Sequence, residues 1–352
     1  HERVEALPGV LLEAEKDASL RALQQHLIRT HLSGMPEAID KKRGLFHIRY
    51  ELLKEPLISI LIPNKDHVED LKRCIDSVLR LSTYRNLEIV VVENNSAKKE
   101  TFDFYRELEN HYAERFSRII TEDGGRTLSD TEAENIEIRV VTWKEGFNFS
   151  AINNFGVPET KGEYLLLLNN DIEVISPGWI EEMLMLSQRG DVGAVGAKLY
   201  YKDDTVQHAG VIIGLGGVAA HSHLQFPREA EGYMGRLKVV QNLSAVTAAC
   251  LLMRRSVYDE IGGMNPGYEV AFNDADFCMR IRSKGYLIAF TPFAELYHDE
   301  SKSRGVEDTP EKAERFESEV QRFKAEWAEI LQNGDPYYNP HLTTDKEDFS
   351  IK

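Results

Sequence analysis

The tripeptide Asn169-Asn170-Asp171 follows directly on four leucines, Leu165 to Leu168. A run of that kind, opened by Tyr164, is a strand buried on both faces, and polar groups at its end fall where open α/β sheets bind ligands, beyond the carboxyl ends of the strands. Asn169 and Asp171 bracket a short turn there and offer hard oxygens suited to a divalent cation carrying a diphosphate. Three further polar clusters sit just past predicted strands: Asn64 to Asp66, Glu93 to Ser96 and Asn273 to Asp276. A parallel sheet gathers such strand ends, and that convergence carries the argument. Any one cluster reads equally well as ordinary turn and cap residues.

Each polar residue has two readings. Asp66 caps the helix that follows it, with Glu69 at capping-box spacing, or bonds a nucleobase edge. Glu93 is a turn carboxylate or the partner of a ribose hydroxyl pair, and the valines before it favour a buried, functional strand end. Asp276 lies four residues before Arg280, which an exposed helical ion pair explains. Asp274 has no such partner; it is an N-cap or the general base that takes a proton from an attacking hydroxyl. Of the 11 histidines, His298 is the best ligand candidate, because it follows the extended piece Leu287 to Phe290 and returns near the sheet. His221 and His223 share a glycine-rich loop and read as acceptor-side or solvated groups. Gly214 to Ala219 (GLGGVA) formally matches a dinucleotide turn, so a NAD-dependent oxidoreductase is an alternative. The signal is weak, since His221, His223 and Pro227 interrupt any helix after it.

The elements that must position these groups follow from periodicity. Leu57 to Pro63 and Leu87 to Val92 are continuous apolar strands, and Val68, Leu71, Ile75, Val78 and Leu79 trace a helix face between them. That pattern is a right-handed βαβ unit and implies a parallel sheet. Ile138 to Thr142, Val192 to Leu199, Val211 to Ile213 and Val246 to Met253 add strands. Phe149 to Val157 starts a helix, Ser176-Pro177 caps another through Leu186, and Phe277 and Ile281 mark a third. Glu2 to Lys42 reads as a helical arm, Phe46 to Leu52 as extended, and Arg106 to Glu137 as a helix end with a solvated excursion. Pro310 to Leu331 is a long charged helix, and Asp335 to Lys352 an ordered-to-frayed tail.

The 352 residues, 42% of them apolar, suffice for a substantial core. A formal charge of −16 argues against non-specific nucleic-acid binding and for a small-molecule partner, which, if anionic, needs a cation. Three scattered cysteines form no disulfide framework and suit a reducing compartment. No apolar run reaches the roughly 20 residues of a membrane span. Because residue 1 is His rather than Met, the chain reads as a piece of something longer, with any membrane anchor outside it.

Taken in order, LISILIPNKD, VVVENNS, GFNFSAINNFGV, LLLNNDIEV, GGMNPGYEVAFNDADFCMR and TPFAELYHDES resemble the motifs of family 2 glycosyltransferases with the GT-A fold, over about Pro56 to Arg304. The similarity is closest to bacterial enzymes of surface-polysaccharide synthesis, including rhamnosyl and galactosyl types. The resemblance implies an α/β fold with a Rossmann-like, mostly parallel sheet flanked by helices and carrying helical N- and C-terminal extensions. It divides the chain into a helical arm (1–55), a GT-A domain (56–305) and a C-terminal helix and tail (306–352). It assigns Pro63, Asn64, Asp66, Glu93, Asn95, Asn148, Asn169, Asn170 and Asp171 to the nucleotide-sugar donor. Asp171 and His298 become ligands of Mg2+ or Mn2+, and Asp274 the catalytic base of an inverting transfer. The implied partners are a UDP- or dTDP-sugar and a saccharide or lipid-linked saccharide acceptor, in the cytoplasm or at the inner membrane face. A non-catalytic nucleotide-sugar-binding or scaffolding domain is the alternative. Two positions depart from the family pattern: Asn169 stands at the first acidic position of the D-x-D motif, removing one anionic ligand, and Asn273 replaces the glutamate that usually precedes the base.

Overall fold

The computed structural model describes residues 10–40, 42–110, 112, 136–299 and 309–352. Most of the expected excursion between Arg106 and Glu137 lies outside these residues, as do Glu300 and Ser301 of the histidine segment. The chain opens with helix α1 (Val10–Arg29), followed by an antiparallel hairpin of β1 (Gly34–Asp40) and β2 (Leu45–Tyr50). The helical arm expected to run to Lys42 therefore stops early. The break comes at His31, left-handed at φ 55, where Leu32 N turns back to the Leu27 carbonyl at 3.0 Å, and Pro36 beyond it does not suit a resumed helix.

The main sheet holds most of the remaining strands. In chain order they and the helices between them are β3 (Ile58–Asn64), α2 (Val68–Leu81), β4 (Leu87–Asn94), α3 (Lys99–Glu109), β5 (Glu137–Trp143), α4 (Phe149–Gly156), β6 (Tyr164–Leu168), β7 (Ile172–Val174) and α5 (Trp179–Ser187). Then come β8 (Val192–Tyr200), β9 (Val206–His208), β10 (Val211–Ile213), β11 (Ala219–His221), β12 (Gln241–Leu243), β13 (Cys250–Arg254), α6 (Arg255–Ile261), α7 (Asn273–Ser283), β14 (Leu287–His298), α8 (Pro310–Glu326) and α9 (Ala328–Asn333). The 10-stranded sheet runs β12-β14-β8-β13-β6-β3-β4-β5, with β7 added to β14 and β9 to β8. Strands β5, β4, β3 and β6 are parallel, as are β8 and β14, while β13 lies antiparallel between the two groups.

Alternation along the strands divides the core in two. Ile60, Ile62, Val91 and Leu166 pack with Leu71, Ile75 and Val78 of α2, Phe104 of α3 and Met183 of α5. Leu61, Val90, Val92 and Leu167 face the other way, onto Ile152 of α4, Phe277 and Ile281 of α7 and Phe323 of α8. Both faces being covered is why these strands read as unbroken apolar runs. The thiols of Cys74, Cys250 and Cys278 are buried in the same layers. Cys74 donates to the Asn169 carbonyl at 3.6 Å. Burial pushes the Cys278 thiol up to about 12.

Four local expectations are corrected. GLGGVA joins β10 to β11 in an antiparallel hairpin, with Gly214 (φ 94), Gly216 (φ 64) and Gly217 (φ 83) making the turn. Only a single 3-10 turn, Leu215–Gly217, lies there and no α-helix opens, so the oxidoreductase alternative loses the strand–turn–helix it requires. Ser176 does not cap α5; its hydroxyl accepts from Glu295 N at 2.9 Å and donates to the Phe293 carbonyl at 3.2 Å. The tail is packed rather than frayed: Tyr338, Leu342 and Phe349 cluster with Ile212 and Leu215, and the Asp335 carboxylate accepts from Ile213 N and Ser244 Oγ. His223 is not solvated. It accepts from Tyr233 N, stacks on Phe349 at 4.4 Å, and burial pushes its imidazole down to about 3.

Among the described residues no helix is long and apolar enough to cross a membrane. Helix α4 approaches the sheet through a glycine. A Cβ on Gly156 would sit 2.6 Å from Leu61 Cδ1 and 2.7 Å from Val92 Cγ2, both in the core. Gly156→Val is therefore expected to destabilise the fold by about 1–3 kcal/mol through overpacking, measured by urea unfolding; an unchanged midpoint and slope would remove this contact from the account.

Candidate active site

The pairing of β7 with the end of β14 sets His298 opposite Ile172, the residue after Asp171. Asp299 N donates to the Asp171 carbonyl at 3.1 Å and closes the corner. As a result His298 Nε2 lies 3.2 Å from Asp171 Oδ1 and 3.2 Å from Asn169 Nδ2. On the other side of the ring, Nδ1 lies 2.6 Å from Gln207 Oε1, an acceptor, so Nδ1 donates that bond and Nε2 faces Asp171 and Asn169. Gln207 is buried on β9 and also donates to the His298 carbonyl at 3.2 Å, which fixes the ring from two directions.

These residues fit a divalent cation. Asp171 Oδ1 is buried and makes no hydrogen bond, an arrangement that is costly unless something positive meets it. A carboxylate oxygen and an imidazole nitrogen oriented by an outer hydrogen bond meet at this corner, with the Asn169 side chain beside them. Among the described residues no group of three or more His, Cys, Asp or Glu side chains gathers to hold a metal. Asp171 and His298 are two ligands, fewer than a divalent cation takes, so its other positions would fall to further oxygens such as those of a diphosphate.

Beside this corner the ends of β3, β4 and β6 are joined by one buried polar chain. Asn170 Nδ2 donates to Asn64 Oδ1 at 2.6 Å, Asn64 Nδ2 to the Tyr105 hydroxyl at 2.7 Å, and Tyr105 in turn to Glu93 Oε2 at 2.6 Å. Ser96 donates to Glu93 through both its hydroxyl and its amide, and the Ser96 hydroxyl accepts from Asp66 N. Glu93 thus spends three acceptor directions within the protein. Asp66, in the left-handed region at φ 54, does not form the expected capping box on α2. Its carboxylate accepts instead from Ala97 N and Lys98 N at 3.1 and 3.0 Å and from Thr101 Oγ1, at the start of α3. Burial raises that carboxyl and these hydrogen bonds outweigh it, leaving it below the usual range.

The remaining candidates are placed as follows. Pro63 is half-buried at the end of β3, paired in register with Val92. Asn95, also left-handed, donates to the Glu145 carbonyl at 2.7 Å. Asn148 caps α4, accepting from Ala151 N at 2.9 Å and donating to the Pro266 carbonyl at 2.8 Å. Asp274 is half-exposed in the first turn of α7, and Asp274 Oδ1 accepts from Ala275 N at 2.8 Å. One segment connects that turn to the His298 corner: Cys278, one turn beyond Asp274, bonds the Val246 carbonyl, Thr247 N donates to His208 Nε2, and the Ala249 carbonyl accepts from Asn169 N. Asp276 corrects the expectation of an exposed pair. It bonds Arg280 Nε at 2.9 Å but is 1% exposed, also accepts from the Trp327 indole, and burial raises its carboxyl.

Sequence reasoning missed Tyr105, Gln207 and His208. Tyr105 reads as one more apolar position of α3. Gln207-His208 gives no signal, because a three-residue strand is too short for alternation to show. His208 is fully buried, 3.1 Å from His221 Nδ1, and burial together with its histidine neighbours holds it well below its ordinary value.

The family model for glycosyl transferase family 2 matches residues 59–262, more than half of the chain. The uncharacterized protein y4gI of Sinorhizobium fredii is 43% identical over 336 residues, covering 95% of this chain and 34% of that protein. The O-antigen biosynthesis protein RfbC of Myxococcus xanthus is 33% identical over 345 residues, 98% of this chain and 24% of that protein. The chain thus spans about a third or less of the length of these relatives. Among solved structures, GalNAc-T7 with UDP, GalNAc and Mn2+ superposes with a TM-score of 0.56 at 15% identity, covering 84% of this chain and 53% of that one, which is a likeness of fold. With its α/β sheet, strand-end polar groups and family match taken together, the chain belongs to glycosyl transferase family 2 and has the GT-A fold.

Proposed function

We propose that this glycosyltransferase moves a sugar, with inversion, from a nucleoside diphosphate donor to a saccharide hydroxyl. The observation that carries the reading is the corner of Asp171, His298 and Asn169 at the end of the β6 strand, bonded to the same 246–249 segment as α7, the helix that bears Asp274. The acceptor oxygen forms a bond to the anomeric carbon while the bond from that carbon to the diphosphate oxygen breaks, its electron pair leaving with the diphosphate. Asp274 takes the hydroxyl proton. Asp171 and His298, steadied by Gln207, would hold Mg2+ or Mn2+. That ion, when bound, offsets the charge growing on the leaving diphosphate. Asn64, Glu93, Asn170 and Pro63 line the nucleotide side. Glu93 has one acceptor direction left for a ribose hydroxyl, while Asp66, Asn95 and Asn148 act by shaping the loops around it.

The donor class rests on the UDP in the GalNAc-T7 structure and on the resemblance to rhamnosyl and galactosyl enzymes, giving a UDP- or dTDP-sugar. The name of the Myxococcus relative, an O-antigen biosynthesis protein, supports a role in making a cell-surface saccharide; a lipid-linked saccharide acceptor and a cytoplasmic setting belong to the same proposal. We take 56–305 as the catalytic unit, with 1–55 and 306–352 as its N- and C-terminal extensions.

Asp274→Asn is expected to lower release of nucleoside diphosphate by roughly 10²–10⁴-fold. Nucleotide affinity, read by calorimetry, should stay within twofold. Full turnover in that variant would remove the base assignment, and nucleotide binding without release in the unaltered chain would favour the non-catalytic alternative. Chelation with EDTA is expected to stop release and Mn2+ to restore it. Gln207→Leu should raise the Mn2+ concentration needed by about 10–100-fold, through loss of the bond that orients His298; an identical Mn2+ titration curve would take His298 out of the metal site.

A further inference from the structure

The loop that ends in Asp274 is held from both sides. On one side, the start of α4 takes its carbonyls: Phe149 N bonds the Glu269 carbonyl at 2.8 Å and Ser150 Oγ the Tyr268 carbonyl at 2.7 Å. On the other side stands a single side chain from α8, 45 residues beyond Asp274 in sequence by number (319 − 274). Glu319 Oε1 accepts from Glu269 N at 2.5 Å and Val270 N at 2.9 Å, and Oε2 accepts from Ala271 N at 3.0 Å. Glu319 is 2% exposed, and the nearest cation is Arg315 Nε at 3.8 Å. Three successive amides on one buried carboxylate are charge-assisted bonds that specify the path of the backbone as well as stabilise it.

That path reaches Asp274 in two steps. Asn273 Nδ2 donates to the Val270 carbonyl at 2.7 Å, tying the first residue of α7 to the peptide that Glu319 holds. A glutamate here, as the family pattern has it, could not donate that bond in its ionised form. Phe272, between them, is left-handed at φ 60, a strained state for an aromatic residue that persists only where its surroundings over-determine it. Its ring lies 5.8 Å from Phe316 and 5.5 Å from Phe323, which flank Glu319 on α8.

We propose that Glu319 is a positioning residue of the transfer reaction, its carboxylate setting residues 269–273 and through them the direction of the Asp274 carboxylate. The proposal rests on the reading of Asp274 as base. The test measures amide hydrogen exchange, nucleotide affinity and nucleoside diphosphate release from the best donor in a panel of UDP-, dTDP- and GDP-sugars. Glu319→Ala should speed exchange in peptides covering 269–273 and lower kcat about 10–100-fold, as misplacement on the order of 1 Å does, with donor KM and nucleotide affinity unchanged. In an Asp274→Asn background the same change should cost nothing further, because both act on one group. Glu319→Gln, which keeps one acceptor oxygen and sets an amide against Ala271 N, should fall between, and it supplies the result if the alanine variant does not fold. Wild-type kcat in Glu319→Ala or Glu319→Gln, or an equal further loss in the Asp274→Asn background, would overturn the positioning role alone. An active Asp274→Asn enzyme would instead overturn the base.

Discussion

Three residues, Ile172 to Val174, pair with the last three of β14, and the geometry of the corner formed by Asp171, Asn169 and His298 depends on that register. Side chains alternate along a strand, so a slip of one residue would turn His298 to the opposite face and away from Asp171. The strand is able to do this because it is irregular. Its pairing with β8 shifts between Thr291 and Glu295, around Pro292, which has no amide to give a ladder. Ser176 fastens the irregular stretch from outside through Glu295 N and the Phe293 carbonyl. The near half of β14 can then belong to the core sheet while its far half serves the site.

The polar chain from Asn170 through Asn64 and Tyr105 to Glu93 follows from the same packing. Those groups lie at strand ends covered on both faces, where an unmade hydrogen bond costs about 1–3 kcal/mol. Each is satisfied by the next, which ties three strand ends and α3 into one unit. A pocket edge assembled this way is preorganised. Its side chains are oriented before any ligand arrives, so ordering them adds little to the cost of binding.

Much of this was legible in the sequence. Leucine and valine runs located β3, β4 and β6, and the polar residues after them marked the strand ends that form the candidate site, because burial and strand ends are local properties of composition. The direction of β13 was not legible: Cys250 to Met253 is as apolar as a parallel strand, and hydrophobicity carries no sense of direction. Helix α1 ends sooner than its charge pattern suggests, because the backbone turns left-handed at His31, which a charge pattern does not show. Asp66 was readable as a cap but not as the cap of α3, and Glu319 looked like one more charged residue of a solvated helix. In both cases the partner lies some 30 to 50 residues away, in a loop whose path no spacing rule fixes.

The three cysteines carry a practical consequence. Their placement follows from packing: Cys74 lies under the Asn169 turn, Cys278 against Val246, and Cys250 in the middle of the sheet. With no exposure and with thiolate formation disfavoured by burial, they are poor nucleophiles toward alkylating reagents and mild oxidants. A cysteine introduced on the surface would therefore be labelled against a silent background, so fluorophores or spin probes could be attached at chosen points without first stripping the native sulfur from the core.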